Sequence, residues 1–184
     1  MATRGDPEAP RVVLALHGRG RDPDDVRTTA ARFGEVPARF VAPAAPGGSW
    51  YPKPFLEPLD ENRDALLRAL GVVDDELARL ADAGVGRDRV VLWGFSQGAC
   101  LAAHHLLVRD PRPCARDWCC SPAGASVRTR SRRRRPGAPA PTPAILRSVA
   151  HDPWVPAHRV QETASLLLAG GARVDLRIAP ATST

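Results

Sequence analysis

The stretch RVVLWGFSQGACLAAHHLLV, residues 89–108, decides the fold class. It opens with an apolar, β-branched run typical of a buried strand and continues with residues that favour a helix. Between them stands the G-x-S-x-G motif Gly94-Phe95-Ser96-Gln97-Gly98. Its glycines permit a sharp turn that lifts the serine above the edge of the sheet. The helix N-terminus then places backbone N–H groups where negative charge develops during acyl transfer. The stretch therefore predicts a nucleophilic Ser96; the alternative is a plain glycine-rich turn.

Strand and helix patterns alternate on both sides of this stretch. Apolar runs typical of strands occupy residues 11–16, 39–44, 143–150 and 173–178. A short helix is predicted within residues 26–36 and another within 157–171. The clearest helix has Asp60 as its expected N-cap, Gly84 as its stop, and apolar residues on one face at three- and four-residue spacing. This alternation predicts an α/β fold with a mostly parallel sheet flanked by helices.

Residues 111–141 interrupt the pattern. The segment is rich in Arg, Pro, Ser and Cys, shows no apolar period and is expected to be disordered. We treat residues 1–184 as one domain that contains this aberrant segment. Its residues are those that GC-rich DNA encodes when it is translated out of frame. We therefore hypothesise a local frameshift in this segment, and a second frameshift or a truncation after residue 178.

Composition narrows the class of protein. No apolar run reaches the length of a membrane helix, and the N-terminus lacks a signal-peptide pattern, so a cytoplasmic location is expected. The net charge of +6 is concentrated in the segment from Arg112 to Arg147, which holds nine arginines and one acid. It therefore does not indicate a nucleic-acid-binding face. The four cysteines have neither the spacing nor the nearby histidines of a zinc site.

Five motifs together carry a resemblance to a known family. They are LHGRG, APAAPGGSWYP, LDENRDALL, VVLWGFSQGACLA and DPWVP. The chain resembles the phospholipase/carboxylesterase family of α/β-hydrolases, which includes small bacterial serine esterases and acyl-protein thioesterases. The resemblance is close over residues 11–110, fair over 143–178, and absent over 111–141 and after 178. One strand of the sheet and the C-terminal helix are therefore expected to be missing.

The resemblance implies roles for residues around Ser96. Ser96 would attack an ester or thioester carbonyl of a small-molecule substrate. The backbone N–H groups of Gln97 and Arg19 would bind the oxyanion. His17 would pack beneath the loop that carries Arg19. The acid would be Asp152, which follows a predicted strand; the alternative role for this side chain is to cap a turn.

The same resemblance predicts the acyl-binding wall. The loop Gly47–Tyr51, together with Phe55 and Leu56, is expected to line the pocket, with Trp50 and Tyr51 as its aromatic members. An apolar acyl group fits such a lining. Triad chemistry requires no cofactor or metal, so none is expected.

The catalytic histidine has no evident candidate. The family pattern places it after the last strand, where this sequence reads APATST. The five histidines are His17, His104, His105, His151 and His158. His104 and His105 follow Ser96 by eight and nine residues on one helix, too far to serve it. His151 adjoins Asp152 and stays open as a makeshift base.

Three readings of function follow. The first is a serine carboxylesterase by descent whose activity is lost with the histidine. The second is a catalytically dead binding module that uses RTRSRRRR, residues 128–135, for an acidic partner. The third is a peptidase or lactone hydrolase on the same fold, since a fold does not fix its substrate.

Overall fold

The computed structural model describes residues 1–54, 57–109 and 141–180. Contacts between residues divide the chain into two compact units, Met1–His105 and Leu106–Thr184. The aberrant segment 111–141, apart from Pro141, lies outside the described residues, as does the chain after Pro180. Among the described helices, none is long and apolar enough to cross a membrane.

The first unit is built on a four-stranded sheet in the order β1-β3-β2-β4. Strands β2, β3 and β4 are parallel and β1 is antiparallel to β3, which confirms the mostly parallel sheet. Every residue of β2 except the first is buried, because both faces of this central strand are covered. The strands are β1 Ala2–Arg4, β2 Arg11–Leu16, β3 Ala38–Ala42 and β4 Val90–Gly94.

Helix α1 spans Pro23–Ala31, so it begins earlier and ends earlier than residues 26–36. Asp22 caps it by accepting hydrogen bonds from the N–H groups of Asp24 (2.8 Å) and Asp25 (3.1 Å). The Asp25 carboxylate returns a contact by accepting from the Asp22 N–H at 3.1 Å. This reciprocal capping box and the proline in the first turn fix the start of the helix.

Helix α2 spans Leu59–Asp82 and carries the predicted apolar stripe. Leu66, Leu70, Val73 and Leu80 on this stripe are all at least nine-tenths buried. The prediction that Asp60 is the N-cap is wrong, because Pro58 occupies that position and Asp60 lies in the first turn. The stop at Gly84 is confirmed: its φ of +80° is a left-handed conformation that glycine adopts without steric cost.

Helix α3 spans Gln97–Arg109 and contacts α2 through a polar pair. The Nε2 atom of His105 lies 2.8 Å from Oδ1 of Asp74, and His105 is only 6% exposed. His105 therefore connects α3 to α2.

The turn between β4 and α3 lies against the end of β2. The Phe95 N–H donates a hydrogen bond to Leu16 O at 3.1 Å. A Cβ on Gly98 would overlap Leu16 O and approach His17 O to 2.6 Å, and a Cβ on Gly94 would overlap Gly98 O. Because backbone atoms occupy these positions, the motif requires glycine at both of its ends.

We predict that Gly98→Ala destabilises the first unit by about 1–3 kcal/mol, because the added methyl group overlaps backbone atoms of β2 that cannot move independently. The matched control is Gly71→Ala, where an added Cβ meets nothing within 4 Å in the interior of α2. This control should gain up to about 1 kcal/mol. Urea denaturation monitored by circular dichroism gives both values, and equal stabilities for the two variants would contradict the assignment.

The second unit contains two parallel strands and one described helix. These are β5 Pro143–Val149, α4 Ala157–Ala169 and β6 Arg173–Ala179. The strands pair from Pro143 opposite Arg173 to Val149 opposite Ala179. Residues on one face of the strands are partly buried and those on the other are exposed. The exposed face includes Ile145, 71% exposed, and Arg147.

An ion pair crosses this exposed face. The Arg147 guanidinium donates to Oδ2 of Asp175 at 2.7 Å and to the Asp175 backbone carbonyl at 2.8 Å. The hydrogen bond from Arg147 lowers the pKa of Asp175, and the charge of Arg177 acts in the same direction. Asp175 is thus held in mid-strand by Arg147 and Arg177.

We predict that Arg147→Gln raises the pKa of Asp175 toward its ordinary value, whereas Arg173→Gln leaves it unchanged. Carboxyl chemical shifts followed by NMR against pH measure both.

The wild-type pKa of Asp175 lies below its value in the unfolded chain, so the ion pair stabilises the fold at pH values above the unfolded pKa. That contribution disappears as pH falls through the folded pKa. It is small because solvent screens an exposed pair. An Asp175 titration insensitive to Arg147→Gln would refute the pairing.

Candidate active site

Ser96 stands at the point of the turn between β4 and α3. Its φ is +50°, and it is the one non-glycine residue with positive φ among the described residues. Such a conformation is strained for a side-chain-bearing residue and persists where the surroundings impose it. Hydrogen bonds on both sides do so here, from Phe95 N–H to β2 and from Gly98 N–H to Phe95 O at 2.9 Å. The turn leaves Ser96 exposed to solvent.

The loop after β2 lies directly against this serine. A Cβ built on Gly18 would lie 3.5 Å from the Ser96 Cβ and 3.3 Å from the Phe95 ring. The Arg19 N–H donates to no acceptor within the described part of the chain. The Gln97 N–H is the first of α3 and so has no acceptor in its own helix. The two proposed oxyanion donors thus lie on neighbouring segments, and both are available to a ligand.

His17 anchors the base of the loop that carries Arg19. Its Nε2 accepts a hydrogen bond from the Ala45 N–H at 3.0 Å, and its Nδ1 lies 2.8 Å from Gly18 O. Because Nε2 must offer a lone pair to Ala45, the proton sits on Nδ1 and is donated to Gly18 O. The buried ring also packs on Trp50 with centroids 5.0 Å apart. Both nitrogens are engaged, so His17 has the structural contacts expected of it.

The side chain of Gln97 holds a second loop beside the serine, a feature that the sequence analysis missed. Gln97 Oε1 accepts from the Trp50 N–H at 3.0 Å, and Nε2 donates to Tyr51 O at 2.8 Å. Gln97 itself is 6% exposed. The sequence does contain a signal for this contact, because Gln97 follows a buried strand at the start of a helix. An amide buried there needs hydrogen-bond partners.

Trp50 and Tyr51, predicted to line the acyl pocket, are each only 3% exposed. The Trp50 indole N–H donates to His17 O at 2.8 Å. Burial raises the pKa of Tyr51 above its ordinary value, and a hydrogen bond with Cys100 adds to the effect.

Both aromatic residues border a cavity of about 290 Å³ against α2, and Ser96 is not among its lining residues. Phe55 and Leu56, predicted for the same pocket, lie outside the described residues. The acyl-binding role of these four residues stays a prediction.

Asp152 lies in the second unit, in the loop after β5. Its Oδ1 accepts hydrogen bonds from the N–H groups of Trp154 (2.8 Å) and Val155 (2.9 Å). These bonds fix the loop and orient the carboxylate, while Oδ2 accepts none from the described residues. The turn role and the catalytic role are therefore compatible at this residue.

Three of the five histidines lie in the first unit. His17 is engaged at both nitrogens, and His105 contacts Asp74. His104 precedes His105 on α3, about 12 Å along the helix axis from Ser96 at 1.5 Å per residue. His151 and His158 are exposed residues of the second unit. Within the described residues, no cluster of three or more His, Cys, Asp or Glu side chains could hold a metal ion.

Comparisons with known proteins show the family and the fold of the chain. The phospholipase/carboxylesterase family model matches residues 2–183. A crystal structure of a phospholipase/carboxylesterase from Dyadobacter fermentans is 27% identical with a TM-score of 0.78, covering 99% of this chain and 87% of that one. No curated protein sequence matches the chain.

Two more distant structures share the fold. Esterase PE8 is 22% identical with a TM-score of 0.64, covering 95% of this chain and 84% of that one. SOBER1 of Arabidopsis thaliana is 18% identical with a TM-score of 0.67, covering 92% and 88%. The α/β-hydrolase fold expected from the motifs is thereby confirmed. The match over nearly the whole sequence identifies the chain as a member of the phospholipase/carboxylesterase family of hydrolases.

Proposed function

We propose that this chain is a serine carboxylesterase acting on small-molecule esters or thioesters. Ser96 is the nucleophile, Asp152 the acid, and the N–H groups of Arg19 and Gln97 bind the oxyanion. In the same proposal, none of the five histidines serves Ser96 as general base, so hydrolysis by this sequence is slow.

The observation that carries the nucleophile is the conformation of Ser96. A positive φ of 50° at an exposed serine has no packing purpose, because the side chain contacts solvent rather than the core. Strain of this kind is found where function requires a fixed side-chain direction. The tight turn holds the Ser96 hydroxyl above the end of β4, where a substrate carbonyl can approach it.

The oxyanion donors follow from the same turn. Attack by the Ser96 oxygen on a carbonyl converts it to a tetrahedral carbon and places a full negative charge on the former carbonyl oxygen. The Gln97 N–H stands at the positive end of α3, and the loop carrying Arg19 lies in van der Waals reach of Ser96. The Ser96 proton passes to solvent water during the attack, and solvent returns a proton to the departing alcohol or thiol. Its expulsion leaves an acyl-serine, which water then hydrolyses to the acid and free Ser96.

The proposed lack of a base rests on the contacts of the histidines. Both ring nitrogens of His17 are engaged in hydrogen bonds, and His105 is buried against Asp74. Loss of a triad member leaves roughly 10³–10⁴-fold catalysis over water where the oxyanion site and substrate binding persist. Measurable but slow turnover is therefore expected.

We predict slow hydrolysis of p-nitrophenyl butyrate by the wild-type chain and none above background by Ser96→Ala. The substitution removes one oxygen at an exposed position, so folding is preserved, as circular dichroism would verify. Initial rates at equal protein concentrations make the comparison. Equal rates for the two proteins in folded samples would contradict a nucleophilic Ser96.

We further predict that added imidazole raises the rate of the wild type more than that of Ser96→Ala. Free imidazole can accept the Ser96 proton in place of a histidine. Imidazole also attacks the ester directly, and the rate measured with Ser96→Ala gives that contribution, which is subtracted. His151→Ala should leave the imidazole-free rate unchanged. A large loss in His151→Ala would show that this histidine is the base, overturning that part of the proposal while leaving Ser96 in its role.

The basic cluster at residues 128–135, on which a binding-module function would depend, lies outside the described residues. No observation in the described part of the chain favours that function over hydrolysis.

A further inference from the structure

The side chains of Arg19 and Gln97, the two residues proposed as oxyanion donors, make four hydrogen bonds to the backbone of the loop Ser49–Lys53. Gln97 takes the Trp50 N–H at 3.0 Å and donates to Tyr51 O at 2.8 Å. Arg19 donates from Nη1 to Pro52 O at 2.5 Å and from Nη2 to Lys53 O at 2.8 Å. Four consecutive residues of the loop are therefore gripped by two side chains.

These tethers act on the backbone of the residues that carry them. Arg19 lies in a loop between β2 and α1. The peptide unit that carries its N–H group is already held at Gly18 O, which accepts hydrogen bonds from His17 Nδ1 (2.8 Å) and from the Arg21 N–H (3.2 Å), so the side chain adds a second restraint on the far side of the residue. Anchoring the guanidinium on two carbonyls restricts rotation of the Arg19 backbone. Gln97 is the first residue of α3, and its two side-chain hydrogen bonds restrain the helix end in the same way. Oxyanion binding depends on donor direction, since hydrogen bonds weaken steeply as they bend.

Further hydrogen bonds hold the segment 45–53 against the loop that carries Arg19 and against helix α2. The Gly20 N–H donates to Gly48 O at 2.8 Å, and Ala45 and Trp50 both bond to His17. Asn62 of α2 accepts from the Lys53 N–H at 3.0 Å. The segment 45–53 is thus anchored by several hydrogen bonds, and the Arg19 and Gln97 side chains connect it to the serine turn.

We infer that Arg19 and Gln97 are positioning residues. Their side chains align their own backbone N–H groups for the oxyanion by hydrogen bonding to the backbone of the anchored loop Ser49–Lys53. This inference rests on the proposed function of Ser96. It separates two roles within each residue, since the backbone N–H touches the oxyanion and the side chain acts only through the loop.

The test uses substitutions that keep both N–H groups. Arg19→Met and Gln97→Met remove the tethers but retain similar side-chain length. Butylboronic acid is the probe, because its boron accepts the Ser96 oxygen and forms an anionic tetrahedral adduct resembling the oxyanion intermediate. We expect both variants to bind it about tenfold more weakly, less than the roughly 10²–10³-fold loss seen when a donor is removed outright. In imidazole-assisted hydrolysis, kcat should fall similarly while KM changes less than twofold.

Controls separate positioning from stability and from charge. His105→Gln weakens the buried contact with Asp74 and should lower stability without changing boronate affinity. Arg87→Met removes an exposed arginine that lines neither the cavity beside Trp50 and Tyr51 nor the serine turn, and it should change neither. Arg19→Lys keeps the charge but not the two-pronged contact, so it should lose most of the affinity that Arg19→Met loses.

The outcomes are distinguishable. Boronate binding that is equal in wild type and Ser96→Ala would overturn the proposed function and this inference with it. Binding that depends on Ser96 but is unchanged in Arg19→Met and Gln97→Met would overturn the inference alone. An Arg19→Lys variant with wild-type affinity would assign the effect of Arg19 to its charge rather than to its grip on the loop.

Discussion

The approach of the serine turn to the end of β2 is the constraint on which the site depends. Gly98 lies so close to Leu16 that any side chain would overlap the carbonyl oxygen, and the Phe95 N–H bonds to that same oxygen. This contact forces the chain to reverse within one residue, and Ser96 takes the strained φ that the reversal requires. The same approach brings the first residues of α3 beside the loop that follows β2. One backbone contact thus brings the proposed nucleophile and the proposed oxyanion donors together.

A second layer of contacts fixes what the turn brings together. His17 and Gln97 are buried polar residues, and each uses all its hydrogen-bonding capacity in the described contacts to hold a loop. The result is a site whose loops carry little regular structure yet are anchored at several backbone groups. Preorganised donors of this kind stabilise a developing charge without reorganising during the reaction.

Local signals in the sequence were sufficient to predict strands β2 to β6, the four α-helices and the serine turn. The G-x-S-x-G motif predicts the turn because the glycine requirement is set within five residues, and the stop at Gly84 follows from φ at a single position. Asp60 was a wrong choice of N-cap because Pro58 already fixes the chain direction before the helix. Strand β1 was not predicted, since three residues have too little pattern and their pairing with β3 is a tertiary contact. The tethers from Arg19 and Gln97 join residues 33 to 47 positions apart, which no local pattern encodes.

Covalent labelling tests most directly whether the turn makes Ser96 a nucleophile. The folded chain would be treated with a fluorophosphonate in the presence of imidazole, digested, and mapped by mass spectrometry. We expect one adduct, on Ser96, which forms in the folded chain and not in the urea-unfolded chain because the reactivity comes from the turn and the oxyanion donors. Adducts spread over several serines, or a Ser96 that is labelled equally well after unfolding, would contradict it.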